Sequence, residues 1–92
     1  MDVEFVNRQL GMRLRLRRRL LGITQAQLGG VCGVSFQQIQ KYESGAHSMG
    51  ALVLWRLADA LRVPAAYFYE GLDPTHMRSR RLTDETAARA LR

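Results

Sequence analysis

Apolar residues recur at helical spacing along most of the chain, and no stretch alternates with the period of two that a strand requires. The first predicted helix covers about 5–21. A fourth covers about 51–61, with apolar positions at i, i+3, i+4 and i+7: Leu54, Leu57, Ala58 and Leu61. Val63 and Pro64 interrupt this pattern and begin a short fifth helix that ends at Gly71. We therefore predict an all-α fold of five helices.

The second and third predicted helices lie within residues 22–45. Leu28 and Cys32 lie four residues apart on the first of them, and Ile39 and Tyr42 lie three apart on the second, with Val34 as a further apolar position between the pairs. Gly33 lies between the two helices, where the chain must turn and a positive φ costs little only for glycine. Gly29 carries no side chain where two helices that cross at about 90–120° approach each other. The spacing indicates a helix-turn-helix.

The starts of both short helices are marked by capping signals. Thr24 with Gln27, and Ser35 with Gln38, each match the Ser/Thr-x-x-Gln capping box, which satisfies free backbone donors. A helical hairpin that serves only for packing would explain the apolar positions. It would not explain the polar residues that follow.

The third helix carries a row of polar residues on its predicted outer side. We expect Ser35, Ile39 and Tyr42 to turn inward, which leaves the others outside: Phe36, Gln37, Gln38, Gln40 and Lys41. A glutamine can donate and accept at once, which matches N6 and N7 of adenine in the major groove at about 1–3 kcal/mol per good pair. Residues near the helix start enter the groove deepest, which favours Gln37 as the main base-reading residue. Gln38 is ambiguous, because closing the capping box would make it less free to contact a base.

The neighbouring residues have two interpretations each. Phe36 contacts a thymine methyl group or packs over the helix start, and Lys41 reaches a guanine or a phosphate. We expect Gln40 to face solvent. Four polar residues flank the two helices and are candidates for contacts with the DNA backbone, which set register rather than sequence preference: Thr24, Gln25, Ser44 and His47.

Charge supports a polyanionic partner without proving one. The formal net charge is +6, and thirteen of the fourteen basic residues are arginine. Six arginines fall on the first helix and five in the tail: Arg8, Arg13, Arg15, Arg17, Arg18, Arg19, Arg78, Arg80, Arg81, Arg89 and Arg92. Such a domain is attracted to nucleic acid. Charge alone is equally compatible with a solvated, arginine-rich surface.

Other classes of function receive little support. Cys32 is the single cysteine, which excludes an internal disulfide; we interpret it as a small buried hydrophobic residue, with a reactive thiol as the alternative. His47 alone is too little for a metal site, and the acidic residues are few and scattered. We expect no metal, no cofactor and no enzymatic activity. Without a basic-then-apolar leader or an apolar run near ~20 residues, the expected location is the cytoplasm.

Together these segments resemble the phage-repressor and Cro-type helix-turn-helix family, often called the XRE family. The resemblance covers about 10–72 and is carried by LGMRLRLRRRLLGITQAQLG, GVSFQQIQKYESG and LADALRVPAAYFYEGL, including the phrase FQQIQKYE seen in bacterial regulators. It implies a five-helix, lambda-repressor-like bundle preceded by a lead-in over 1–9, with the helix-turn-helix at 24–43. It also implies homodimers on near-palindromic operators, with base contacts from Phe36, Gln37 and Lys41. A buried ion pair of Arg18 with Glu43, which could hold the guanidinium near a phosphate, is a further implication.

The chain departs from the family pattern at several positions. Ser48 stands where relatives commonly carry a basic residue, and Gly50 replaces a usual helix cap. Arg62 replaces the glycine that normally ends the fourth helix, at a cost of about 1 kcal/mol if its backbone is left-handed. The outer side of the fourth helix is unusually apolar at Leu52, Val53 and Trp55, either to pack against the fifth helix or to bind a partner.

The leading hypothesis is a homodimeric regulator of transcription that binds double-stranded DNA and acts as a repressor rather than an activator. The alternative is an antitoxin that neutralises a toxin protein and represses its own operon, using Leu52, Val53 and Trp55 or the tail. The tail, 73–92, is predicted to be flexible or to form a short docking helix.

Overall fold

The computed structural model describes residues 2–70 and residue 72, and these form four α-helices and one 3-10 helix. The α-helices are α1 (Val3–Leu20), α2 (Gln25–Cys32), α3 (Phe36–Ser44) and α4 (Ala51–Ala60). No strand occurs in this part of the chain, which confirms the all-α prediction. The tail over 73–92 lies outside the described residues.

The predicted fifth α-helix is instead a 3-10 helix over Ala65–Tyr69. Its amide groups bond to carbonyls three residues back, as in the bond from Tyr67 to Pro64 at 2.9 Å. Glu70 then returns to an extended backbone. A segment this short completes only i to i+3 bonds, which is the usual setting for 3-10 geometry. The five-helix count is therefore not confirmed, although an element lies where the fifth was expected.

All four α-helices and the 3-10 helix contribute to one core. Its buried apolar side chains are Leu10, Leu14, Leu28, Cys32, Ile39, Tyr42, Leu54, Leu57, Ala58, Leu61 and Phe68. The helical spacing predicted for α4 is confirmed, since all four of its predicted apolar positions are buried. This core holds α2 and α3 in a fixed relation to α1.

The crossing of α1 over α3 depends on Gly11. A Cβ atom at this position would overlap the carbonyl oxygens of Tyr42 and Glu43, so the backbone of α1 lies directly on the backbone of α3. This role of Gly11 was not predicted. The available signal was a glycine inside a helical pattern, which costs about 1 kcal/mol relative to alanine and therefore needs a reason.

The turn between α2 and α3 uses both of its predicted glycines. Gly33 ends α2 with φ +71°, as expected. A Cβ atom on Gly29 would overlap the carbonyl oxygen of Val34, and the Gly29 carbonyl accepts a hydrogen bond from the Val34 amide at 2.8 Å. The prediction that Gly29 must lack a side chain is confirmed. Its neighbour is the backbone of the turn rather than the body of a crossing helix.

Neither end of helix α4 carries the residue type that usually caps a helix at that position. Gly50 caps its start without a side-chain hydrogen bond. At its end, Arg62 has φ 59° and is the one non-glycine residue with positive φ in the described region. The Arg62 amide donates to the Asp59 carbonyl at 3.2 Å, and the Val63 amide donates to the Ala58 carbonyl at 3.0 Å. This is the Schellman arrangement that usually has glycine at this position, so the condition for the cost at Arg62, a left-handed backbone, is met.

Candidate nucleic-acid interface

The start of α2 is fixed by a complete capping box. The Thr24 hydroxyl accepts a hydrogen bond from the Gln27 amide at 3.0 Å, and the Gln27 side chain accepts one from the Thr24 amide at 2.8 Å. This confirms the first predicted box. Two of the free donors at the helix start are thereby satisfied, and the first turn is held rigid.

The predicted capping box of α3 is only half present. The Ser35 hydroxyl accepts from the Gln38 amide at 3.1 Å, but the Gln38 side chain does not return to Ser35. Instead its Nε2 lies 3.2 Å from Nδ1 of His47, to which it can donate when that nitrogen is unprotonated. The loop after α3 folds back to allow this, since the His47 amide bonds to the Lys41 carbonyl at 3.2 Å. Ser35 is also exposed, so the expectation that it turns inward is wrong.

The outer side of α3 exposes three of the predicted base-contacting residues together. Gln37 and Lys41 lie one helical turn apart on this exposed side, and Phe36 precedes them. The Gln37 amide group makes no hydrogen bond to any of the described residues, so both its donors and its acceptor are available. Phe36 remains 46% exposed, so packing over the helix start accounts for only part of its surface.

A buried ion pair joins α1 to α3. Arg18 Nε lies 2.6 Å from Oε2 of Glu43, and Arg18 Nη2 lies 3.1 Å from Oε1, which is a two-point contact. The Arg18 Nη1 group donates to the Ile23 carbonyl at 2.9 Å. Hydrogen bonding to Glu43 raises the pKa of the Arg18 guanidinium above its ordinary value, against an opposing effect of desolvation. The pair that the family resemblance implied is therefore present.

Gln25 is tied to the same pair. Its Nε2 donates to Oε1 of Glu43 at 3.1 Å, so the start of α2 is fixed to the end of α3. Gln25 was predicted only as a contact with the DNA backbone; this bond, which joins residues 18 apart, was not predicted. Arg18 is buried, with 9% of its surface exposed, and three of its N–H groups are occupied. Arg18 therefore positions Glu43, and through it Gln25, while its predicted contact with a phosphate stays a prediction.

The other predicted backbone contacts lie at the end of α3. The Ser44 hydroxyl donates to the Lys41 carbonyl at 3.2 Å and accepts from the Ala46 amide at 3.3 Å. His47 is exposed on the following loop. Ser48, which replaces a common basic residue, is hydrogen bonded to the Asn7 side chain at 2.8 Å and so attaches the loop to α1.

The three apolar residues on the outer side of α4 differ in how exposed they are. Val53 packs against the core, whereas Leu52 and Trp55 are 59% and 62% exposed. Packing within the fold therefore explains Val53 alone. Leu52 and Trp55 remain candidates for a partner surface.

Cys32 behaves as a buried apolar side chain. It is 4% exposed, its Sγ lies 3.7 Å from the Arg56 carbonyl oxygen, and burial raises the pKa of its thiol. These features favour the structural interpretation over a reactive thiol. Within residues 2–70 and 72, no group of three potential ligands is placed to hold a metal ion, and no helix combines the length and the apolar character that a membrane span needs.

Comparison with known families gives a match to a helix-turn-helix family over residues 14–68, which is more than half of the chain. The chain belongs to the XRE-type helix-turn-helix family. A relative from Sinorhizobium medicae, an uncharacterized HTH-type transcriptional regulator, is 48% identical over 61 residues, which are 66% of this chain and 44% of that protein. An uncharacterized transcriptional regulator encoded in the ATPase CF(0) region of Rhodospirillum rubrum is 44% identical over 80% of this chain and 71% of its own length. The chain thus spans less than half of the Sinorhizobium relative.

Solved structures show the same fold. The P22 c2 repressor, crystallised in complex with a synthetic operator, superposes with a TM-score of 0.64 at 35% identity, over 68% of this chain and 96% of that one. The lambda-repressor-like fold that the family resemblance implied is therefore shared with a solved repressor structure. The predicted domain limits of 10–72 remain a prediction.

Proposed function

We propose that this protein is a sequence-specific regulator of transcription, acting as a repressor, that binds a near-palindromic operator as a homodimer. The observation that carries this proposal is the exposed side of α3, where the unpaired Gln37 amide and Lys41 lie together on a short helix. A buried ion pair at its end and the Ser35 cap at its start hold this helix rigid, and base-reading residues require such support. The P22 c2 repressor, which shares the fold, was solved with an operator bound.

The proposed contacts divide into two groups. Gln37 reads an adenine, Phe36 packs on a thymine methyl group, and Lys41 reaches a guanine or a phosphate. Gln38 contributes a base contact only if it exchanges its bond to His47 for one to DNA. Thr24, Gln25, Ser44 and His47 set the register on the backbone. In a homodimer the two copies of α3 would enter successive major grooves, with half-sites about 10 base pairs apart.

Substitution of Gln37 tests this assignment. An operator is first obtained by selecting bound sequences from a random pool of DNA, and affinities for operator and random DNA are then measured by fluorescence anisotropy. Gln37→Ala should weaken operator binding by about 1–3 kcal/mol and relax the preference at one position of the half-site. Gln9→Ala is the matched control, because Gln9 lies two positions from Gly11 and so on the side of α1 away from α3. If Gln37→Ala keeps the wild-type preference, Gln37 does not read a base.

The exposure of Leu52 and Trp55 favours a second candidate, an antitoxin that also binds its own operator. Exposed aromatic and aliphatic residues side by side are typical of a protein interface. Expression with its neighbouring genes and size-exclusion chromatography with light scattering decide between the two. A stoichiometric complex that Trp55→Ala disrupts would support the antitoxin, whereas a lone dimer would support the simple regulator.

A further inference from the structure

The six arginines of α1 divide into two groups by what they contact. Three are used within the fold. Arg13 lies over the Tyr67 ring at 5.9 Å from its centre, Arg17 Nε donates to the Leu61 carbonyl at 3.0 Å, and Arg18 pairs with Glu43. These three arginines hold α1 against the 3-10 helix, the end of α4 and α3. Folding explains why they are present.

Folding does not explain Arg15 and Arg19. Both are exposed, and neither makes a hydrogen bond or an ion pair with any of the residues that the structure describes. They lie four residues apart on α1, so their side chains stand next to each other on one face. Arg8 lies on the same side but is a weaker candidate, because Glu4 precedes it by one turn and its stem lies against Gly45.

Arg15 and Arg19 border a groove that also reaches the helix-turn-helix. Its other walls are formed by the start of α2 and the end of α3, and it is lined by Arg15, Arg19, Thr24, Gln25, Gln40 and Ser44. Glu43 and Arg18 lie at its inner side and neutralise each other. The two free guanidinium groups therefore make the groove positively charged. Its polar hydroxyl and amide groups suit a phosphate oxygen as ligand.

We propose that Arg15 and Arg19 bind backbone phosphates of the operator and extend the DNA interface from the helix-turn-helix onto α1. This inference rests on the proposed function and adds a second element to it. Gln40 and Ser44 belong both to α3 and to the groove, so a duplex that contacts the outer side of α3 passes beside the two arginines. Because such contacts touch no base edge, they raise affinity for operator and random DNA alike.

The salt dependence of binding tests the proposal. Each neutralised phosphate contributes about 0.9 to the slope of log affinity against log salt. The Arg15→Gln/Arg19→Gln variant should therefore lose about 1.8 from this slope on operator and on random DNA. Between 50 and 200 mM salt, the loss of affinity would then be about 12-fold smaller than in the wild type. The operator preference should be unchanged.

The control is Arg56→Gln/Arg62→Gln, which removes the same charge from exposed positions outside the groove. It should change the slope by much less. Ethylation interference provides a second measurement: phosphates whose ethylation blocks the wild-type protein, but not the groove variant, mark the contacts directly. Because Arg15 and Arg19 are exposed and unpaired in the described region, the variant should melt at the wild-type temperature.

Three outcomes would overturn the proposal. The groove variant could keep the wild-type slope, or it could lose no more slope than the control. Finally, the variant could lose binding to vesicles of anionic lipid while its slope of log DNA affinity against log salt stays unchanged. That result would mean that the two arginines bind a membrane surface together with the exposed Met12 and Leu16. In each of these cases, the proposed function would still stand if Gln37→Ala weakens operator binding and relaxes the sequence preference as expected. Failure of the wild type to bind any DNA would remove both.

Discussion

Replacing Arg62 by glycine should stabilise the protein. Arg62 has φ 59° and makes the same pair of backbone hydrogen bonds after α4 that Gly22, at φ 70°, makes after α1. A left-handed backbone costs a residue with a Cβ atom about 1–2 kcal/mol. Glycine removes this cost but adds about 0.4–1 kcal/mol of unfolded-state entropy. The net gain in the free energy of unfolding is therefore centred on about 0.8 kcal/mol, within a range of about 0–1.6 kcal/mol, and the central value corresponds to about 3–6 °C in Tm.

Urea and thermal denaturation followed by circular dichroism would measure this gain, with two comparison variants. Arg62→Ala removes the charge and the side chain but keeps the Cβ atom, so it should remain close to the wild type. Gly22→Ala places a Cβ atom in open space, because nothing lies within 4 Å of it, and should lose stability through its backbone alone. If Arg62→Gly is no more stable than Arg62→Ala, the left-handed backbone does not carry the cost, and the reasoning is refuted.

Two further predictions concern the core. Gly11→Ala should destabilise the fold by more than about 2 kcal/mol despite the better helix propensity of alanine, because its Cβ atom would overlap the backbone of α3. Gly30→Ala, on α2 with open space around it, should instead stabilise the fold by about 0.5–1 kcal/mol. A Gly11→Ala protein that is as stable as the wild type in urea would contradict the close crossing of α1 and α3. Burial raises the pKa of Cys32 above its ordinary value of 9.0, so the folded state holds the thiol proton more tightly than the unfolded state. The free energy of unfolding should therefore fall as the pH rises past this value, and Cys32→Ala should lack that component when urea midpoints are compared at pH 7 and pH 10.

Local signals in the sequence predicted the helix-turn-helix well. Gly33, Thr24 and Gln27 act through backbone geometry within a few residues, so their roles can be derived from spacing alone. The second capping box failed because Gln38 has a competing partner nine residues away, and no local pattern reports where the His47 ring lies. The fifth helix was placed in the right segment, but its hydrogen-bond pattern depends on how few residues lie between Pro64 and Glu70.

Contacts between distant segments could not be derived in the same way. Gly11 and Tyr42 are far apart in the chain, and only the crossing of α1 over α3 gives that glycine its function. The pair of Arg18 with Glu43 was expected from the family resemblance and not from spacing. The bond from Gln25 to that pair was not expected at all, because a glutamine at a helix start has many possible partners.

These contacts show that α1 controls the proposed interface in two ways. Because Gly11 lets α1 lie against the backbone of α3, Arg18, two turns further along, reaches Glu43 and fixes the end of α3. The same crossing turns Arg15 and Arg19 towards the groove beside α2 and α3. A side chain at position 11 would push the two helices apart, which would lengthen the 2.6 Å contact of Arg18 with Glu43 and move both free arginines away from α3. The support of α3 and the proposed phosphate contact therefore depend on one helix crossing, and a change at that crossing alters both.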